Sequence, residues 1–312
     1  MEFQKIVIAG AGTMGSSMAQ IYAEYFDDVV LYNHRQETLD LAKERIESNV
    51  ATLVETGNLT KEKADRLLGA LSYTTSMECF ADCDFVAENL SENLEIKDAF
   101  YEKISEVIRD TAVITTNTSG MSINLLSRSV KEPERFIGMH WFNPPHLVPL
   151  IEIIKGEKTR EDVAQAVYDL SLKIGKKPVL VNRDIPGFAA NRLQFAILRE
   201  ALDLVEQGVV SAEGIDDVMK YGLGFRYACL GPLEVADFGG LDTFTHIGSY
   251  LMKDLCDSKE VPELMKAHFE AGEYGVKSEK GFYDYSNGRA KEATKERDEK
   301  FLKVYQALYG NK

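Results

Sequence analysis

Apolar residues are spaced in two different ways along this chain, and the spacing changes past its middle. In the first half, short apolar runs at 3–9, 28–32, 84–88, 112–116, 135–141 and 148–154 alternate with longer amphipathic stretches such as 36–56 and 94–108. A short continuous apolar run suits a strand buried on both faces, whereas apolar positions three and four apart suit a helix. Their alternation predicts an α/β domain, a parallel sheet with helices on both faces. After Asp184-Ile185-Pro186-Gly187 the pattern is helical almost throughout, with Ser211 and Pro232 placed to start helices. The expected organisation is therefore a doubly wound domain over 1–184 followed by a smaller all-helical domain over 185–312.

The chain has 312 residues, 45% hydrophobic and 28% charged, enough to bury a substantial core. No repeat or low-complexity tract interrupts it. Its formal charge of −14 argues against a general role on nucleic acid or anionic membrane, while leaving room for a local pocket that takes a small anion. No apolar run reaches the roughly 18 to 20 residues needed to cross a bilayer. The opening apolar run is too short for a secretory signal and has no basic flank, so the expected location is the cytoplasm. Cys79, Cys83, Cys229 and Cys256 are too few and too scattered for a disulfide framework. They read as reduced thiols, and no metal site is expected.

Gly10-Ala11-Gly12-Thr13-Met14-Gly15 follows the first strand and opens a helix. The first two glycines permit a tight turn and close approach of a pyrophosphate, and the third lets helix and strand pack closely. The helix N-terminus offers free N–H groups to phosphate. This places a Rossmann-type dinucleotide site at the start of the chain. An acid at the end of the second strand would bind the adenosine ribose, but that place holds Asn33, followed by Arg35. A neutral Asn33 removes a repulsion and Arg35 supplies a cation, which leans toward NADP(H). Alternatively, Asn33 bonds the ribose of NAD(H) and Arg35 is solvated.

Polar residues gather where apolar strands end. Thr116-Asn117-Thr118-Ser119 closes one, and His140 and Asn143 close another. Glu152 stands inside the apolar run Leu147–Ile154. A carboxylate there is costly unless it has a partner, and a histidine on a neighbouring strand is a natural one. Such a pair makes a base near neutrality, the acid orienting the imidazole and stabilising its cation. Asn191 falls with Phe188, Phe195, Leu198 and Leu202 on one helical face, which predicts a buried amide that has a partner or ligand.

The glycine turn, Glu88–Lys97, Thr116–Ser119, His140-Trp141-Phe142-Asn143-Pro144, Pro186–Arg192 and the late Gly281-Phe282-Tyr283-Asp284-Tyr285 occur in one order along nearly the whole chain. Together they resemble the 3-hydroxyacyl-CoA dehydrogenase family. The resemblance implies His140 as general base with Glu152 as its partner, and Ser119 and Asn191 at the substrate oxygen. It places Glu92, Lys97, Asn117, Asn143 and, from the second domain, Lys277 around the cofactor. It also implies a homodimer and, as default substrate, a short-chain L-3-hydroxyacyl-CoA.

Two features open an alternative. Family members that bind CoA carry lysines after the second strand, yet Ser48–Gly57 holds no cation, leaving Lys61 or Lys63 for that task. The segments Asn191–Ile197 and Gly222–Ala228 are similar to the gulonate (lambda-crystallin) and carnitine dehydrogenase branch, whose members oxidise free 3-hydroxy acids. There Arg226 would hold a carboxylate bidentately, unless it is a surface or helix-capping residue. A structural crystallin or a nucleotide sensor is the non-enzymatic competitor, and it needs no intact base or oxygen-binding set.

Overall fold

The computed structural model describes residues 1–310. It divides into two compact units, Met1–Arg192 and Leu193–Lys312.

The first unit is built on an eight-stranded sheet in the order β3-β2-β1-β4-β5-β6-β7-β8. The strands are β1 Lys5–Ala9, β2 Asp28–Tyr32, β3 Leu71–Thr74, β4 Phe85–Glu88, β5 Val113–Thr116, β6 Phe136–Trp141, β7 Leu150–Ile154 and β8 Lys177–Val181. Around them lie α1 Thr13–Ala23, α2 Gln36–Glu55, α3 Lys61–Gly69, α4 Leu94–Val107, α5 Ile123–Leu126 and α6 Glu161–Lys173. Successive residues of a strand point to opposite faces. Along β1, Ile6 and Ile8 join a core with Met18 and Tyr22 of α1 and Val163 and Val167 of α6. Val7 and Ala9 join a second core with Phe100, Tyr101 and Ile104 of α4. The sheet is thus covered on both faces, the expected doubly wound arrangement.

Two strands depart from the parallel expectation: β7 runs antiparallel to β6, with His140 directly opposite Glu152, and β8 runs parallel to β7 and so is reversed with it. The connection from β6 to β7, residues 142–149, is shorter than the dozen or so residues a parallel crossover takes. Two strands escaped the apolar pattern. β3 and β8 are the sheet's edges, only partly buried, and β8 carries Pro178. Edge strands bury one face or less and tolerate proline, so their apolar signal is weak.

The helix α7, Ala190–Glu206, begins in the first unit and continues into the second. The second unit then carries α8 Ala212–Val218, a π-helical turn Met219–Leu223, α9 Gly224–Tyr227, α10 Pro232–Gly239, α11 Leu241–Leu251, α12 Glu263–Glu270 and α13 Arg289–Tyr309. Ser211 caps α8 by accepting the Gly214 N–H, and Pro232 occupies the first turn of α10, as their positions predict. Among the described residues of this unit, only Leu202 and Val235 are buried hydrophobic side chains.

Candidate active site

The site begins with the backbone of the glycine turn. Gly10 adopts φ 106°, and a Cβ there would lie 2.6 Å from the Asn89 carbonyl oxygen. A Cβ on Gly15 would lie 1.8 Å from the Gly10 carbonyl oxygen, so only glycine lets α1 pack this close to β1. Gly12 has nothing within 4 Å of its Cβ position and no side chain caps α1, whose first turn contains no acid. Thr13 is exposed and Met14 half-buried at this helix start. The free N–H groups of α1 therefore face an open approach suited to a pyrophosphate. The turn lies between β1 and β4, where the strand order reverses, and ligands of open α/β sheets bind at that point.

Asn33 closes the adjacent strand and is buried. Its side-chain oxygen lies 3.5 Å from the Ala11 N–H, and its amide donates to the Arg35 carbonyl at 3.2 Å. Arg35 is exposed at the start of α2.

The antiparallel register of β6 and β7 puts His140 and Glu152 side by side, both buried. The His140 Nδ1 is 2.9 Å from Glu152 Oε2. The other carboxylate oxygen, Oε1, accepts the N–H groups of Ala189 at 3.0 Å and Ala190 at 2.8 Å. Glu152 thus caps the start of α7, whose first N–H groups have no partner within the helix. Burial opposes ionisation of Glu152, but the bonds from His140, Ala190 and Ala189 prevail and hold its carboxyl below the usual range. Phe142 and Phe188 pack on the imidazole, at 4.4 and 5.7 Å between ring centroids. The arrangement fixes the Nδ1 side of the ring as donor, leaving Nε2 as the nitrogen for proton exchange.

Residues at the ends of β4 and β5 form the next layer. The Asn117 side-chain oxygen accepts the Trp141 N–H at 2.8 Å, while its amide donates to Asn89 at 2.8 Å. Glu92 Oε1 accepts from the Thr118 hydroxyl and from the Ser119 N–H at 3.1 Å. The Asn191 amide donates to the Ser119 carbonyl oxygen at 2.7 Å, which brings these two residues together. Asn143 is exposed just beyond β6.

One expectation needs correction, and one lysine lies deeper than its sequence suggests. Asn191 is only half-buried, and Phe195 on the same helical face is 57% exposed. The periodicity marks an apolar face that is covered at Phe188 and Leu202 but open at Phe195. Lys97 is 1% exposed, its ammonium 2.6 Å from Glu88 and 3.6 Å from Glu92. A buried ammonium needs a counter-charge, and Glu88 supplies it beneath the loop. Glu88 was not singled out from the sequence; its place inside the apolar run Phe85–Glu88 was the available signal.

Arg226 in α9 and Lys277, in a short turn at Val276–Ser278, belong to the second unit and are exposed there. The four cysteines are free thiols, and burial pushes Cys83 up to about 12. Among the described residues, no cluster of three or more His, Cys, Asp or Glu could hold a metal, and no helix is long and apolar enough to cross a membrane.

A glycine turn at the switch point of a doubly wound sheet, with an imidazole–carboxylate pair at the end of a strand in the same sheet, defines a class: the dinucleotide-dependent dehydrogenases. Comparison with known proteins supplies the family. Residues 5–185 match the 3-hydroxyacyl-CoA dehydrogenase NAD binding domain, and residues 187–285 match the C-terminal domain of the same family. The chain is 39% identical over 282 residues to a probable 3-hydroxybutyryl-CoA dehydrogenase of Deinococcus radiodurans, covering 90% of this chain and 100% of the relative. It is 35% identical over 308 residues to the 5-formyl-3-hydroxy-2-methylpyridine 4-carboxylate 5-dehydrogenase of Mesorhizobium japonicum, covering 98% and 99%. A crystal structure of an enzyme of that latter activity, an NAD+-dependent dismutase, superposes with a TM-score of 0.91 at 34% identity over 100% of both chains. The Escherichia coli 3-hydroxybutyryl-CoA dehydrogenase structure gives 0.79 at 32% identity, over 93% of this chain and 61% of that one. The chain belongs to the 3-hydroxyacyl-CoA dehydrogenase family and is a nicotinamide-dependent oxidoreductase acting on CH–OH.

Proposed function

We propose that the protein oxidises the 3-hydroxyl of a free hydroxy acid, with His140 as general base. The buried His140–Glu152 pair carries the reading. His140 Nε2 takes the hydroxyl proton, and the Glu152 carboxylate stabilises the imidazolium that forms. The Ser119 hydroxyl and the Asn191 amide bind the substrate oxygen and steady charge developing on it. In reverse, protonated His140 returns the proton to a 3-oxo group. Hydride acceptance, and hydride return in the reverse direction, is the chemistry a bound nicotinamide would supply. Gly10, Gly12, Thr13, Met14 and Gly15 would hold its pyrophosphate, with Asn33 at the ribose and Glu92, Asn117 and Asn143 nearer the ring.

The substrate class rests on Arg226. Its guanidinium is exposed between Phe225 and Tyr227, directly after the π-helical turn. A planar fork of donors suits a carboxylate. The full-length likeness to a pyridine-carboxylate dehydrogenase supports this choice, as does the cation-free last part of α2. The relatives named for 3-hydroxybutyryl-CoA favour a second reading, a short-chain L-3-hydroxyacyl-CoA bound with help from Lys61 and Lys63.

We read the cofactor as NAD(H) rather than NADP(H). The Asn33 amide is committed to the Arg35 backbone, and the matched domain is an NAD binding domain. The second unit, with Leu233 and Phe238 each 81% exposed, supports a homodimer that covers these faces. A substrate panel read by nicotinamide absorbance tests the assignment. Free 3-hydroxybutyrate, gulonate and carnitine are set against 3-hydroxybutyryl-CoA and acetoacetyl-CoA, each with both cofactors. Turnover of a free acid with NAD at rates well above those of the thioesters is expected. Efficient turnover of the thioesters alone would overturn the free-acid reading.

A further inference from the structure

Glu88 ends β4 with no exposed surface, and its carboxylate is fully bonded. Oε1 accepts from the Lys97 ammonium and the Leu90 N–H, both at 2.6 Å. Oε2 accepts from the Tyr101 hydroxyl at 2.6 Å and the Thr116 hydroxyl at 2.7 Å. Burial and the adjacent Glu88 carboxylate hold Tyr101 well above its usual range, so it stays a donor. A buried ion pair is weak evidence of stability, because apolar residues of similar volume often serve as well or better. The placement of this one suggests what it does. The same ammonium lies 3.6 Å from Glu92 Oε2, and the other oxygen of Glu92 holds the Thr118 hydroxyl and the Ser119 N–H. Ser119 in turn receives the Asn191 amide on its carbonyl oxygen.

We propose that Glu88 is a positioning residue: it fixes the Lys97 ammonium, Lys97 fixes the Glu92 carboxylate, and Glu92 sets the Ser119 turn that meets the substrate oxygen. This rests on the reading of Ser119 and Asn191 given above. Glu88 has no exposed surface with which to touch a substrate or cofactor. Its effect is on where an oxygen-binding group stands, and a displacement of about 1 Å at a reacting centre costs roughly a hundredfold in rate.

The experiment separates positioning from stability. Glu88→Gln leaves Lys97 without its closest counter-charge, and both thermal midpoint and kcat should fall. The double variant Glu88→Gln/Lys97→Met removes the buried charges together, so the midpoint should recover, yet Glu92 is then released and kcat should stay about 10- to 100-fold below wild type. Glu88→Asp keeps the charge but withdraws it by one methylene. It should fold and lose about tenfold in kcat, which keeps the question decidable if the double variant does not fold. Rates are compared where circular dichroism shows each variant folded. Recovery of both midpoint and kcat in the double variant, or wild-type kcat in folded Glu88→Asp, would overturn the proposal. Wild-type enzyme inactive on the whole substrate panel would instead defeat the functional reading itself.

Discussion

Replacing Glu152 by Gln changes few atoms and sets the bonding of the pair against itself. The native carboxylate is acceptor-only. It takes His140 Nδ1 on one oxygen and two backbone N–H groups on the other, with contacts of 2.8 to 3.0 Å. A glutamine offers one oxygen and one NH2 group. If the oxygen faces His140, the NH2 opposes the Ala189 and Ala190 N–H groups. If it faces those amides, the NH2 opposes Nδ1 and drives the imidazole to the tautomer whose Nε2 already carries a proton. Losing a charge-assisted bond costs about 1.5 to 3 kcal/mol, roughly one to two decades in rate. Tautomer reversal adds to this, and the equivalent change in serine protease triads costs about 10⁴. Oxidation by Glu152→Gln should therefore be about 10² to 10⁴ slower, with nicotinamide dinucleotide binding largely kept. Initial-rate assays with saturating cofactor, alongside a cofactor-binding titration, measure both. A folded variant within threefold of wild-type kcat would refute the pairing as the source of basicity.

The same carboxylate contributes to acid stability. Because folding depresses the Glu152 pKa, its contribution is present above its ordinary value of about 4.3 and is lost as pH falls through the depressed one. Urea unfolding from pH 7 to pH 3 should show a steeper acid loss in wild type than in Glu152→Gln; parallel curves would contradict this. Arg226→Met should lower kcat/KM on a free acid roughly ten- to a hundredfold by removing a charge-assisted pair, and leave thioesters little changed. A silent Arg226→Met on every free acid that wild type oxidises would defeat the carboxylate assignment. Sedimentation at micromolar concentration should show a dimer, and a stable monomer would count against the covering of the second unit's apolar faces.

Much of the first unit was legible because its strands are short, apolar and buried on both faces. The edge strands β3 and β8 were not, since partial burial removes the signal that marks a strand. The glycine turn was readable from three residues: Gly10 and Gly15 leave no room for a Cβ, and Gly12 leaves the approach to α1 open. His140 and Glu152 could be named as a pair, but their direct opposition depends on the antiparallel turn of β7, which no local pattern announces. The burial of Lys97 was not legible, because a lysine near a loop reads the same whether it reaches a ligand or neutralises a buried acid. Only the packing of α4 on β4 and β5 shows that Glu88 claims it. Asn191 shows the complementary limit: periodicity identifies an apolar face, while coverage of that face depends on what lies against it.

The account rests most heavily on His140 as the base, and His140→Gln tests it most directly. With wild type turning over a substrate from the panel, the variant should bind NAD(H) with similar affinity by fluorescence titration. Its kcat should fall by several orders of magnitude, since proton transfer alone is typically worth about 10² to 10⁴ and charge stabilisation adds to it. A folded His140→Gln enzyme that binds NAD(H) normally and keeps more than about a tenth of wild-type kcat would remove His140 from the mechanism.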